Sequence, residues 1–140
     1  MTEYGEMTNV VEIEEPAPRT LLVRVRGDLD GMATEQLRAA LDDELAGSSV
    51  SRLVLDLSRV TLLASPALDL LRRLRRRCRV EGRHLVLVGT GHPAVHRPLR
   101  ITGLLPLFDT RPTVQSVLHG AARPAVTPAD RPVVTCADRP

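Results

Sequence analysis

Along residues 20–27, TLLVRVRG, apolar and charged positions alternate: Val23 and Val25 fall on one side of an extended chain, Arg24 and Arg26 on the other. The pattern predicts a strand with one wet face. VVEIEE, residues 10–15, alternates well enough for an edge strand, and PAPR turns the chain between the two. RLVLDL, residues 52–57, and HLVLVG, residues 84–89, are apolar on both sides and predict central, doubly covered strands. The period then changes. Leu37, Ala40, Leu41 and Leu45 recur at helical spacing, predicting a helix from Ala33 or Thr34 to Ala46 that stops at Gly47. Ala67, Leu70, Leu71, Leu74 and Cys78 make a second stripe, predicting a helix from Pro66 to Arg79 with Arg72, Arg73, Arg76 and Arg79 mostly opposite.

The connections carry their own signals. DLDG, residues 28–31, should end the second strand, because acidic side chains and glycine favour a turn. SRVTLL reads as a separate apolar stretch leading to Ser65. Pro66 suits the first helical position, where no amide hydrogen is needed. HPAVHRPLRITG should hold a third helix, distorted or divided by Pro98. LLPLFD, residues 104–109, suggests a short strand around Leu107 and Phe108. A last helix should run from Pro112 to Gly120 with Val114, Val117 and Leu118 inside. The order β-β-α-β-α-β-α-β-α implies an α/β sandwich whose later strands are parallel and whose first hairpin adds an antiparallel edge. Residues 1–120 form the expected domain. Residues 121–140, with four prolines and no apolar period, read as a disordered Pro-rich tail.

Composition narrows the function. Aromatic residues are 1% of 140, so the core must be aliphatic and a base-stacking surface is not expected. All 19 basic residues are arginine, yet the net charge is only +2. Cys78 falls on the apolar helix face and should be a buried free thiol; Cys136 lies in the tail. No basic-then-apolar leader opens the chain, and no run approaches the roughly 20 apolar residues of a membrane span, so a soluble cytoplasmic protein is expected.

Catalytic patterns are sparse. His92 and His96 stand four apart without an HExxH frame; His84 and His119 are isolated. GTG, residues 89–91, is a strand-to-helix turn with no phosphate-loop pattern around it. Ser65 lies in L-A-S-P-A, not the G-x-S-x-G of a nucleophile elbow. Asp28 and Asp30 read as turn acids satisfying amides, and Asp56 as a strand end, so no metal set is expected. No enzyme activity and no cofactor are expected. Six arginines between Arg72 and Arg79 make either a solvated helix face, with Asp69 pairing Arg72 or Arg73, or a contact surface for an acidic partner. Direct nucleic-acid binding is not expected.

VRVRGDLDGMATEQLRAAL followed by RLVLDLSRVTLLASPALDLLRRL resembles the STAS domain family of anti-sigma factor antagonists, and HLVLVGTGHPAVHRPLRITGLLPLFDT fits its second half. The likeness spans roughly residues 8–119. It implies a mixed, mostly parallel sheet of about five strands with four helices mainly on one side. It also implies partner switching in transcription regulation: an unphosphorylated antagonist binds a serine-kinase anti-sigma factor and frees sigma, and phosphorylation of one serine abolishes that binding. Ser65 matches that phospho-acceptor. The motif is degenerate, since Ala64 replaces the preceding acid, Ala67 the glycine, and Pro66 directly follows the serine. Asp28 and Asp30 match the acids of the family's G-[DE]-L-D turn, so Asp28, Asp30, Ser65 and Pro66 are the expected partner-binding residues. From the residues alone, Ser65 is either a helix cap or a regulated hydroxyl. The alternative function is a non-phosphorylated STAS adaptor or scaffold in another signalling or transport-associated complex.

Overall fold

A computed structural model describes residues 10–122. Its elements run β1 (Val10–Ala17), β2 (Thr20–Leu29), α1 (Gly31–Leu45), β3 (Arg52–Leu63), α2 (Ser65–Glu81), β4 (His84–Val88), α3 (Pro93–Ile101), a single 3-10 turn (Leu105–Leu107), β5 (Asp109–Arg111) and α4 (Val114–Ala122). The five strands lie in chain order in one sheet. β1 pairs antiparallel to β2, and every later pairing is parallel. This is the mixed α/β sheet that the alternation and the return helices require.

The sheet has an unequal cover. Val23, Val25, Leu53, Leu55, Leu57, Leu85 and Leu87 join the stripes of α1, α2 and α3 in the main core. On the other face Leu22, Val54, Val86 and Val88 meet Val117 of α4, with Val114 packed alongside. The central strands are therefore apolar on both sides, while Arg24 and Arg26 at the β1 side stay outside the core. In α2 the predicted stripe of Ala67, Leu70, Leu71, Leu74 and Cys78 is buried. Burial pushes the Cys78 thiol pKa up, as expected of an inert core sulfur. Gly47 follows the end of α1 with φ +66°, the left-handed conformation glycine adopts freely.

Several boundaries differ from the pattern, each for a physical reason. β2 does not stop at DLDG but continues through Asp28 to Leu29, because β3 continues beside it. β3 is one strand of 12 residues rather than a strand and a separate stretch. On the main-core face its buried positions are Leu53, Leu55, Leu57, Val60 and Leu63, so the spacing lengthens from two to three. The register shifts twice against β2, between Arg24 and Arg26 and between Gly27 and Asp28, inserting extra residues into β3. Asp56 lies inside this strand, where its carboxylate accepts the Ser58 amide at 3.0 Å and holds the first bulge. α3 is one continuous short helix despite Pro98. Pro98 cannot donate to Ala94, but a nine-residue helix has few such bonds to lose, and Val95 and Leu99 anchor it in the core.

The expected strand around Leu107 and Phe108 is instead the 3-10 turn, and β5 begins at Asp109. Pro106 has no amide hydrogen for a ladder, so pairing starts only after it. α2 reaches Glu81, two residues beyond Arg79, and ends at Gly82 with φ +73°. α4 reaches Ala122. The remainder of the expected tail, with Cys136, lies outside the described residues.

Candidate functional site

The parallel pair β2–β3 delivers four sequence-selected residues to one end of the sheet. Asp28 pairs with Leu62 and Leu29 with Leu63. The Ala64 amide then donates to the Leu29 carbonyl at 3.1 Å, so the ladder runs to the doorstep of α2. Asp30 and Ser65 therefore leave adjacent strands side by side, each at the start of a helix.

The two helix starts are built differently. Asp30 is the N-cap of α1: its extended backbone turns the chain, and its carboxylate accepts the Ala33 amide at 3.0 Å. That matches the expected amide-satisfying role. Asp28 behaves otherwise. It is exposed, and its carboxylate accepts the hydroxyl proton of Thr61, the residue that the second bulge adds to β3.

At α2 the N-cap is Ala64, and no side chain caps this end. Ser65 is the first helical residue and Pro66 the second, one place later than the first position expected for Pro66. The Ser65 hydroxyl is thus not the cap. Ser65 and Pro66 are both exposed, whereas Ala67 is buried at 1%. The Ala67 and Leu68 amides both donate to the Ala64 carbonyl, at 3.0 and 3.1 Å. One turn on from Ser65, Asp69 is held by Arg73 at 2.7 Å and Arg72 at 3.4 Å, the pairing read from the sequence.

The sequence did not single out three neighbours. Thr61 fixes Asp28. Leu62, 47% exposed near the end of β3, and Met32, 73% exposed in the first turn of α1, leave apolar surface at the same end of the sheet. A second leucine breaking the alternation just before Ser65 was the available signal for Leu62. His92 precedes α3 as its N-cap rather than sharing a helical face with His96, and its ring Nε2 lies 2.9 Å from the Val60 carbonyl. This ties the turn after β4 to β3. Among the described residues, no group of three or more His, Cys, Asp or Glu could hold a metal ion, and no helix is long and apolar enough to cross a membrane.

The site therefore offers an uncapped helix start with a free hydroxyl, a fixed carboxylate and two exposed apolar side chains. Such a surface can bind a protein and change its charge by modification at one oxygen.

A sequence model of the STAS domain matches residues 10–117. Among solved structures, an anti-sigma factor antagonist from Mycobacterium paratuberculosis is 29% identical, with a TM-score of 0.71 over 82% of this chain and 95% of its own. RsbS of Moorella thermoacetica is 25% identical, with a TM-score of 0.68 over 79% of this chain and 92% of its own. The Bacillus cell fate determinant SpoIIAA in its phosphorylated form shares the fold at 20% identity, with a TM-score of 0.65 over 80% of this chain and 99% of its own.

Proposed function

The chain belongs to the STAS domain family, and from that premise we propose that it is an anti-sigma factor antagonist. In this reading it binds a serine-kinase anti-sigma factor through Asp28, Asp30, Ser65 and Pro66, and so frees sigma. It is a binding regulator in the cytoplasm, not an enzyme. The likeness to the mycobacterial antagonist supports the role.

The observation that carries the proposal is the exposed Ser65 at the start of α2, beside the Asp28–Thr61 pair and not used as a cap. A phosphate there would add about 1.5 to 2 negative charges. The domain would tolerate it, because a helix N-terminus favours an anion and Ser65 is exposed rather than part of the buried stripe of α2. A partner packed over Leu62 and Met32 would not, because the charge must lose its water to be covered. One hydroxyl can therefore switch binding without refolding the protein.

A second reading has its own support. Pro66 has no amide to offer a phosphate, and the Ala67 and Leu68 amides already face the Ala64 carbonyl. With Ala64 in place of the family's acid, these features favour an adaptor that binds without being phosphorylated. Calorimetric titration of a purified kinase-type anti-sigma factor tests both. Wild type and Ser65→Ala should bind, and Ser65→Glu should bind more weakly with folding intact. Mass spectrometry after incubation with the same kinase and ATP separates the readings: phosphate on Ser65 supports the switch, and binding without it supports the adaptor. No binding by wild type would sink the antagonist reading and leave only an adaptor or scaffold in another complex.

A further inference from the structure

The arginines of α2 divide into two groups. Those flanking the core are matched within the protein: Arg73 pairs with Asp69, and Arg77 with Asp42 and Glu81 at 2.7 and 3.0 Å. Those on the outer face are matched weakly or not at all. Arg72, Arg75, Arg76 and Arg79 occupy roughly a 100° arc of the helix, at about 3.6 residues per turn. They line a shallow surface groove of about 340 Å³ together with Val80. Arg72 has only the long 3.4 Å contact to Asp69, and Arg75 gives its Nε proton to the Leu107 carbonyl at 3.0 Å. Among the described residues, Arg76 and Arg79 have no carboxylate within ion-pair distance.

This arrangement acts against the helix that carries it. Arg72 and Arg76, Arg75 and Arg79, and Arg76 and Arg79 are like-charge neighbours at i,i+4 or i,i+3, each unfavourable by about 0.2 to 0.5 kcal/mol. The C-terminal dipole offsets this only near the last turn, where Arg79 stands. An anion from outside would remove the repulsion. Val80, 81% exposed, and Leu107, 47% exposed and joined to the face through Arg75, add apolar surface to the same region.

We propose that the Arg72–Arg75–Arg76–Arg79 groove of α2 is a second docking surface, one that takes an acidic protein segment carrying aliphatic side chains. The charge complementarity selects the carboxylates, and Val80 and Leu107 select the aliphatic groups. A nucleic acid fits less well, since the aromatic residue of the described region, Phe108, is buried and offers no base a stacking partner. The groove lies away from the α2 start, toward its C-terminal half, so its occupancy does not depend on Ser65.

The test uses a fluorescein-labelled helical peptide with glutamates and leucines side by side on one face, followed by anisotropy with the full chain. Wild type should bind it, more weakly at high salt. Arg76→Glu with Arg79→Glu should raise Kd by about tenfold or more, while Arg26→Glu with Arg59→Glu, an equal change of net charge on the open sheet face, should leave it nearly unchanged. Arg76→Gln with Arg79→Gln replaces the first pair if the reversal unfolds the chain, as judged by circular dichroism. No binding by wild type, or equal weakening by the two pairs, overturns the proposal. Tighter binding of a single-stranded RNA oligonucleotide at this groove than of the peptide overturns it in favour of nucleic acid.

Discussion

Gly89 and Ser58 stand back to back: a Cβ placed on Gly89 would lie 2.5 Å from the Ser58 Cβ and 2.6 Å from its Cα. Gly89 also has φ +75°, so it closes β4 into the turn before α3 in a conformation that other residues resist. The first bulge of β3, held by Asp56, is what brings Ser58 against it. Gly89→Ala should therefore cost about 2 to 4 kcal/mol, combining the backbone strain and the overlap. Ser58→Gly should not restore it, because the Ser58 Cα and amide nitrogen overlap the added carbon as well. Urea midpoints of the single and double variants check this.

Asp28 and Asp30 should separate in mutation, although they are two residues apart. Asp30→Ala removes the cap of α1 and should cost about 1 kcal/mol. Asp28→Ala loses an exposed bond to Thr61 and should move the thermal midpoint little. If the proposed interface is right, the larger effect of Asp28→Ala is on affinity for the anti-sigma factor. Melting curves beside calorimetric affinities read the two effects independently.

Leu71 lies on the buried face of α2 at 2% exposure, within the main core. Leu71→Ala should cost about 2 to 5 kcal/mol. The midpoint of denaturant unfolding measures it, and a midpoint that barely moves would contradict the packing described.

Asp109 carries a pH dependence. Burial alone would raise its pKa, but hydrogen bonds from His84, at 2.7 Å, and Arg111, at 3.1 Å, outweigh it and hold the carboxyl below its ordinary value. The charged form is thus favoured by folding. Its contribution is complete above the unfolded pKa and is lost as pH falls through the folded one. Asp109→Asn should lower stability at neutral pH and lose less than wild type between neutral and acid pH. Unfolding free energies measured across that range check the sign.

The elements that could be read from the chain are those whose signal is local. The apolar centres of RLVLDL and HLVLV, the five-residue stripe of α2 and the glycine after α1 report burial and termination within a few residues of themselves. The family resemblance named Asp28, Asp30, Ser65 and Pro66 as the expected partner-binding residues, but the chain did not show their local roles. Asp30 and Ser65 look alike as helix-start residues, yet one caps and the other does not.

What the sequence alone determined was the order and type of the elements, the aliphatic core and the two faces of α2, because hydrophobic period and turn chemistry act over a turn or a strand. Tertiary structure decided the length of β3 and the exposure of Ser65. The two bulges exist because β3 must keep pairing with β2 while Val60 and Leu63 stay in the core, which stretches the buried spacing beyond the strand period. The Ala64 amide then bonds to the Leu29 carbonyl, a partner 35 positions away in the chain. Ala64 is extended, at φ −81° and ψ 171°, and occupies the N-cap. Ser65 is carried one place into the helix, where it is exposed and caps no helix amide.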